Sequence, residues 1–254
     1  MPVQNRLGVT LRSKGEDNRS VIASVDGYNG GWIIATAEGW QCGEPPRLIA
    51  RQDFASVVKE TEECKILVVD MPIGSPSGAK CRACDLDARK ALGNSGQTRL
   101  FLCPHRKSLG AGSPVEFQAS IKELTGKGAG LPVWGIVARI KEVDSVMTPE
   151  LQFRVMEFHP ELAWRRLADG GLASKHSAHG LLQRINLLNK HKSNWLVGLD
   201  TADLPSKVKL DDVLDSIVGL SVAHGIAEDP SYKNRFPKLD APRDERGLRM
   251  EIWF

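Results

Sequence analysis

Short apolar runs separated by turn residues occupy the first part of the chain, and they predict β-strands. Residues 21–25 and 32–37 are largely apolar and flank a glycine-rich segment, 26–31, which predicts a β-hairpin. A third short strand is predicted at 47–50. The apolar run 66–69 follows a segment with helical spacing, so we expect its strand to pair in parallel with the sheet.

Apolar residues recur at intervals of three and four in much of the remaining chain, which predicts amphipathic helices. Pro160 suits the first turn of a helix, and Gly93 and Gly126 suit helix ends. An alternation of polar and apolar residues predicts one more strand, at 152–157. The predicted helices span 53–64, 80–92, 117–125, 134–147, 160–167, 176–190 and 207–227.

This order of elements predicts an α/β fold with a mixed sheet flanked by helices. We expect residues 20–254 to form a single domain, with 80–147 as a helical insertion in its core. Residues 229–254 contain three prolines and are predicted to be a C-terminal tail whose apolar end packs back on the domain. Residues 1–19 are polar and are predicted to be a flexible N-terminal leader.

Composition adds three constraints. Net charge is only +3, so charge alone does not indicate a nucleic-acid partner. The chain contains no apolar run of the roughly 20 residues that span a bilayer, and its first residues lack the apolar segment of a signal peptide. Five cysteines with irregular spacing do not indicate a secreted disulfide framework. We therefore expect a cytoplasmic protein that does not enter the membrane.

Acidic residues close several of the predicted strands. Asp26 ends the first apolar run, Asp70 ends the run 66–69, and Glu157 ends the alternating segment. Acids that share one end of a sheet indicate a site for a hard cation, which prefers oxygen ligands. The alternative is that each aspartate only starts a turn after its strand.

A pair of acids lies near the start of the last predicted helix. Asp212 and Asp215 are three residues apart and share a face away from the apolar stripe of that helix. The alternative is a solvated first turn, where acidic residues suit the helix dipole. Taken with the strand-end acids, the pair favours a site for Mg²⁺ or Mn²⁺. Two such ions roughly 4 Å apart can stabilise the attacking and leaving oxygens of a phosphodiester displacement.

Five spaced sequence blocks resemble those of the domain-of-unknown-function family 429. That family is described as predicted nucleases of the RNase H-like fold. The blocks are Asp26-Gly27-Tyr28-Asn29-Gly30-Gly31-Trp32, Asp70-Met71-Pro72-Ile73-Gly74, Asp85-Leu86-Asp87-Ala88-Arg89 with Leu92-Gly93, Glu157-Phe158-His159-Pro160-Glu161 and Asp211-Asp212-Val213-Leu214-Asp215.

The resemblance implies an RNase H-like mixed β-sheet and a site made of acids from separate elements. Nucleases of that superfamily carry one aspartate on the first strand, one acid on the fourth, and acids on a late helix. Asp26, Asp70 and the pair Asp212 and Asp215 match those roles, so they are the predicted metal ligands. Glu157 is an additional catalytic candidate outside that minimal set.

Basic and glycine residues supply the candidates for substrate binding. Basic residues are concentrated between 82 and 107 and are suited to phosphate contacts, although exposed helices often carry such charges. We predict contacts to a nucleic-acid backbone, and His159 is the histidine that we include. The glycines of the first hairpin could cradle phosphate, or could serve the turn alone. The candidates are Gly27, Gly30, Gly31, Arg82, Arg89, Arg106, Lys141 and His159.

The cysteines offer a second possible kind of metal site. Cys81, Cys84, Cys103 and His105 offer four residue types that structural zinc sites use. The short Cys103–His105 spacing is unusual for such a site. We therefore predict reduced cysteines that hold no metal.

These observations lead to a predicted function: a Mg²⁺- or Mn²⁺-dependent nuclease that hydrolyses phosphodiester bonds of DNA or RNA. Two alternatives stay open. The same end of the sheet could bind or hydrolyse a nucleotide or phosphometabolite, or the domain could be a non-catalytic interaction module.

Overall fold

A computed structural model describes most of the chain. The predicted leader, 1–19, lies outside the described residues. Within the part that is described, no helix is both long and apolar enough to cross a membrane. The described residues are 21–40, 43–93, 96, 99–126, 131–192 and 195–254.

A five-stranded mixed sheet forms the centre of the fold. Its strand order is β3-β2-β1-β4-β5. β1, β2 and β3 are antiparallel neighbours, whereas β4 and β5 run parallel to β1. The predicted hairpin and the predicted parallel strand are both confirmed. The strands are β1 (Ile22–Tyr28), β2 (Gly31–Ala37), β3 (Arg47–Arg51), β4 (Ile66–Val69) and β5 (Val155–Glu157).

Helices cover both faces of the sheet, which confirms the predicted α/β class. Local signals fix several helix ends: the Asp53 side chain caps α1, and Gly126 ends α3 with a positive φ of 72°. The helices are α1 (Phe54–Glu60), α2 (Ala83–Leu92), α3 (Pro114–Thr125), α4 (Leu131–Val146), α5 (Pro160–Ala168), α6 (Ala178–His191) and α7 (Leu210–Glu228). Of these, α2, α3 and α4 lie between β4 and β5.

Alternation along each strand divides the core into two layers. In β1, Ala23 and Val25 belong to the layer that contains α1, α3 and α4. Ile22 belongs to the opposite layer, which contains α5, α6 and α7. β4 alternates in the same way. Because successive side chains point to opposite faces of a sheet, this alternation decides which helix each strand-end acid meets.

Helix α7 packs against the centre of the sheet. Its residues from Val213 to Ala223 are buried, so it is enclosed on most sides instead of showing one apolar stripe. Gly219 permits this close approach. A Cβ at Gly219 would lie 2.6 Å from the Phe158 ring and closer still to the Ser24 hydroxyl. Ser24 belongs to β1, so this glycine sets the distance between α7 and the strand that carries Asp26.

One predicted strand is shorter than its sequence pattern indicates. Alternation predicted a strand over 152–157, but Leu151–Phe153 form a 3-10 turn and β5 begins only at Val155. The Gln152 side chain explains the difference. Its amide group donates to the Arg249 carbonyl at 2.8 Å and accepts from the Arg249 N–H at 2.7 Å. These bonds hold the residue in a turn.

The C-terminal segment returns to the sheet. Its strands β6 (Arg235–Phe236) and β7 (Ile252–Trp253) pair with each other. Trp253 also bridges to Phe158, directly after β5. Ile252 is 1% exposed and packs beside α2.

Candidate functional site

A cavity of about 780 Å³ opens at the end of the sheet where β1, β4 and β5 all finish. Strand ends of this kind are a common position for ligand sites in open α/β sheets. Acids from three elements line the cavity: Asp26 from β1, Asp70 after β4, and Asp212 and Asp215 from α7. The structure therefore brings together the acids that the sequence analysis named as metal ligands.

Asp26 and Asp70 form the centre of this group. Val25 and Val69 are paired in the parallel register of β1 and β4, so the acids that follow them stand side by side. The two carboxyl groups are close enough for each to shift the pKa of the other. The Asp26 Oδ1 atom also accepts a hydrogen bond from the Gly27 N–H at 2.7 Å.

The surroundings of these two acids disfavour their ionised forms. Burial raises the pKa of Asp26 well above its usual range, and the charges of Asp70 and Asp215 raise it further. Burial likewise raises the pKa of Asp70 to about 7, although Lys175 opposes the rise. Carboxyl groups whose pKa values are raised by burial and by neighbouring carboxylates are typical of functional sites.

Asp215 is 1% exposed and projects from α7 into the same group. The Trp164 indole N–H donates to its Oδ1 atom at 2.7 Å, and the Lys175 ammonium donates to its Oδ2 atom at 2.6 Å. Asp212 is less enclosed and accepts from the Lys209 backbone N–H at 2.9 Å, so it also caps its own helix. The sequence alternative of a solvated helix turn is thus wrong for Asp215.

Lys175 is the basic residue in contact with this group of acids. Burial alone would lower the pKa of its ammonium group, but the charges of Asp215 and Asp26 outweigh burial and raise it. The ammonium therefore stays charged at neutral pH. Lys175 comes from the loop between α5 and α6 and was not found by the sequence analysis, because nothing in its local sequence marks it.

The arrangement of these acidic side chains determines which of them could hold a divalent cation. In the part of the chain that the structure describes, no three His, Cys, Asp or Glu side chains are arranged to hold a metal ion. Asp215 is occupied by Trp164 and Lys175. Asp26 and Asp70 stand side by side and offer carboxylate oxygens, the ligands that Mg²⁺ and Mn²⁺ prefer.

Glu157, the third strand-end acid, has a different environment. Glu157 is two residues after Val155 in β5, so its side chain lies on the sheet face opposite α7. Arg82 binds it, and the two terminal guanidinium nitrogens each lie 2.7 Å from one carboxylate oxygen. The Ile73 N–H donates to it as well, at 2.7 Å. Arg82 also pairs with Asp85, 2.5 Å away. Glu157 thus borders the cavity but has its oxygens committed to a buried ion-pair network.

The predicted substrate-binding residues separate into two sets. Gly27, Gly30, Arg82 and His159 line the cavity. Gly31, Arg89, Arg106 and Lys141 are not among the described residues that line it. Arg89 donates to the Leu100 carbonyl at 2.9 Å. Arg106 pairs with Asp144 at 2.7 Å and also with Asp244. Lys141 is exposed on α4.

Two arginines that were not among the predicted site residues stand at the edge of the cavity. Arg99 donates to Glu161 at 2.8 Å and keeps about a quarter of its side chain exposed, at 27%. Arg139 stacks over the Trp32 ring, 4.9 Å from its centroid, and donates to the Tyr28 carbonyl at 3.0 Å. Arg139 lies on α4, far from Tyr28 in sequence, so only the tertiary fold reveals its position.

His159 is a neutral side chain. Burial lowers the pKa of its imidazole to about 4, and Lys175 adds to that effect while Glu161 opposes it. Its backbone carbonyl accepts from the Leu162 N–H at the first turn of α5. A neutral ring at the border of the cavity can accept or donate a single hydrogen bond to a ligand.

The cysteine group is placed away from the acids of α7. Cys103 is buried, its backbone N–H donates to Asp85 at 2.8 Å, and burial raises the pKa of its thiol to about 12. Cys84 is buried beside Asp85, and burial raises the pKa of its thiol too. Both thiols are therefore protonated and unreactive at neutral pH.

Comparison with known families adds one assignment. Residues 25–239 match the model of a family described as protein of unknown function (DUF429). The match covers most of the chain, and the protein belongs to that family. No curated protein and no solved structure shows significant similarity to it.

Proposed function

We propose that this protein is a divalent-metal-dependent phosphodiesterase that acts on nucleic acid. One observation carries the proposal: acids from β1, from the end of β4 and from α7 converge on one cavity. Asp26, Asp70 and Asp215 belong to elements distant in sequence. Asp26 and Asp215 are buried, and burial of an ionised carboxylate is unfavourable without a compensating cation. Structural helix caps and turns do not require such convergence.

The proposed fold is RNase H-like. The strand order and the acid positions support it, because the first strand, the fourth strand and a late helix each supply an acid. This is the placement that the resemblance to predicted nucleases implies. The proposed ligands of Mg²⁺ or Mn²⁺ are Asp26 and Asp70, with Asp212 near the opening of the cavity.

The acidic and basic residues of the cavity have separate roles in this proposal. A bound divalent cation would neutralise developing charge on the phosphate and lower the pKa of a water molecule. Asp26 and Asp70 would hold and orient that cation. Lys175 holds Asp215 in place and contributes a fixed positive charge. Arg99 and Arg139 at the cavity edge would bind backbone phosphates, which Arg does in a bidentate manner.

Metal-dependent cleavage is tested with labelled single-stranded and duplex DNA and RNA, each with Mg²⁺, with Mn²⁺ and with chelator. The expected result is cleavage by the wild type with metal and none by Asp26→Asn. Asp53→Asn is the matched control, because Asp53 is an exposed acid that caps α1 away from the cavity. Equal cleavage by both variants would identify a contaminating nuclease and refute the proposal.

A second candidate function is hydrolysis or binding of a nucleotide or phosphometabolite. The observation that favours it is the cavity volume of about 780 Å³, which lies within the range of small-ligand pockets. Cleavage of mononucleotides but not of polymers would select this candidate. Tight metal binding without any hydrolysis would favour the non-catalytic module.

A further inference from the structure

The acid group already contains one cation, the ammonium of Lys175. Its Nζ atom lies 2.6 Å from Asp215 Oδ2 and 3.9 Å from Asp211 Oδ2. Only about a quarter of the side chain is exposed, at 27%. The charges of Asp26 and Asp70 act on the same ammonium. Lys175 thus stands where an acid from α7 and the acids of β1 and β4 come together.

We infer that Lys175 permanently occupies one of the two cation positions, so the site binds a single divalent ion at Asp26 and Asp70. This inference rests on the proposed function. It departs from the sequence expectation, in which two metal ions and all four aspartates act together. In its place, the site combines one exchangeable ion with one covalently attached charge.

The hydrogen bonds of Asp215 support a fixed Lys175. Each oxygen of Asp215 has a donor: the Trp164 indole at 2.7 Å and the Lys175 ammonium at 2.6 Å. Trp164 is itself fully buried, so the carboxylate is held in one orientation. A metal ion that used Asp215 would have to displace the ammonium from a charge-assisted bond, which is among the stronger hydrogen bonds.

Among the described residues, no ammonium or guanidinium group forms an ion pair with Asp26 or Asp70. The two acids follow paired positions of β1 and β4, and the Gly27 N–H that donates to Asp26 is neutral. One divalent ion between the two carboxylates would therefore satisfy this pair. One such ion and the Lys175 ammonium together balance the three charges of Asp26, Asp70 and Asp215.

Metal stoichiometry tests the inference without any enzymatic activity. Mn²⁺ binding is measured by titration calorimetry and by the spin resonance of free Mn²⁺, for the wild type, Lys175→Ala and Lys65→Ala. Lys65 is the matched control, since it also pairs with a carboxylate, Glu228 at 3.3 Å, but precedes β4 at the end opposite Asp70. We expect one ion in the wild type and the control, and two in Lys175→Ala.

Thermal melting gives an independent readout. Without metal, Lys175→Ala should melt at a lower temperature than the wild type, because it leaves Asp215 buried without its cation. Mn²⁺ should raise the melting temperature of this variant more than that of the wild type or of Lys65→Ala. Lys175→Arg keeps the positive charge and should bind one ion. It therefore shows whether the charge, and not the substitution itself, sets the number of ions.

Each remaining outcome is decisive. Two ions in the wild type, or one ion in a folded Lys175→Ala, would overturn the inference and leave the proposed function in place. Absence of Mn²⁺ binding in every variant would overturn both. Lys175→Met removes the charge but keeps much of the side-chain length, so it supplies the same test if Lys175→Ala does not fold: two ions support the inference and one ion overturns it.

Discussion

The pKa of an aspartate side chain is shifted in opposite directions at two positions of this protein. Asp53 is exposed, and hydrogen bonds from Ser56 hold its pKa below the usual range. Asp26 is buried, and the loss of solvent raises its pKa well above that range. Asp53 is therefore a helix cap that is stable as a charge. Asp26 is a carboxylate whose charge needs a partner, which is why it is the residue to test first.

Asp26→Asn should eliminate metal-dependent cleavage and Mn²⁺ binding while leaving the fold intact. The Asn carbonyl can still accept the Gly27 N–H. Removing one of several crowded like charges relieves repulsion, so we expect the melting temperature without metal to stay equal or rise. Calorimetric melting of the metal-free protein measures this. A large fall would identify Asp26 as a structural cap.

The pH dependence of stability should report on Asp70. Its pKa is about 7 in the folded protein against an ordinary value of 3.8, so the folded state keeps this proton to higher pH. The resulting stabilisation is complete below about pH 4 and is lost as the pH rises to about 7. Asp70→Asn cannot ionise at this position. Its melting temperature relative to the wild type should therefore rise between pH 4 and pH 7.

A second group, His159, also contributes to the pH dependence of stability in this range. The pKa of His159 is lowered to about 4, which makes stability increase with pH over part of the same interval. That contribution is present in both proteins and cancels in their difference. Addition of Mg²⁺ at pH 8 should stabilise the wild type more than Asp70→Asn. A difference that stays constant from pH 4 to pH 8 would contradict the assigned environment.

At the scale of elements, α7 packs closely against β1 and also carries Asp215 of the acid group, and the second feature depends on the first. Gly219 lets the helix approach β1 at Ser24, and Asp215, one turn earlier, meets Asp26 of the same strand. The distance between helix and strand therefore controls the distance between two acids of the site. A helix held further from the sheet would separate them.

Gly219→Ala should destabilise the protein by about 1–3 kcal/mol, the usual range for overpacking a well-filled core. The reason is the methyl group, which would lie 2.6 Å from the Phe158 ring and would also clash with Ser24. Chemical denaturation measures the change. Mn²⁺ affinity should fall in the same variant, because α7 must move away from Asp26.

The matched control for this substitution is Gly135→Ala on α4. A Cβ at Gly135 meets nothing within 4 Å, and the position is exposed. Since alanine favours a helix over glycine by up to about 1 kcal/mol, this variant should be slightly more stable than the wild type. Equal effects of the two substitutions would show that α7 does not approach β1 so closely.

At the scale of the whole molecule, residues from both helical layers line the cavity. α4 from one layer supplies Arg139, and α7 from the other supplies Asp212 and Asp215. The sheet between them supplies Asp26 and Asp70. Acids in the centre and arginines at the edge are the arrangement that the proposed function requires, with a polyanion bound through a metal ion.

The salt dependence of binding separates a nucleic-acid path from a small-molecule site. Binding of a short oligonucleotide is measured over a salt series for the wild type and for further substitutions, with Ca²⁺ as a hard cation in place of Mg²⁺ so that cleavage is not expected to interfere. Loss of one phosphate contact should reduce the slope of log affinity against log salt by about 0.7–0.9. We expect this reduction for Arg99→Gln and Arg139→Gln, whose side chains border the cavity.

Arg89→Gln and Arg106→Gln serve as the comparison, because both residues were predicted to contact the backbone and both lie outside the lining. If these two variants alone reduce the slope, the substrate contacts Arg89 and Arg106 and not the cavity edge. An unchanged slope in all four variants would favour the small-molecule alternative.

The sequence by itself determined the central elements and most of the acid group. Apolar runs, glycine turns and helical spacing are local properties, so β1, β2, β4 and α7 could be predicted within a few residues. Asp26 and Asp70 follow equivalent positions of parallel neighbours, which makes their proximity a consequence of strand pairing. Alternation along β5 would also have assigned Glu157 to the opposite face, had it been applied to the strand-end acids.

Only the tertiary structure decided what surrounds those acids. Lys175 lies in an irregular loop, and Trp164 and Arg139 lie on helices whose spacing indicates core and surface but not contact with a particular carboxylate. The burial of Asp215 likewise depends on α7 being enclosed by the sheet, α5 and α6. Charge compensation acts through space between residues distant in sequence, so local patterns cannot specify it.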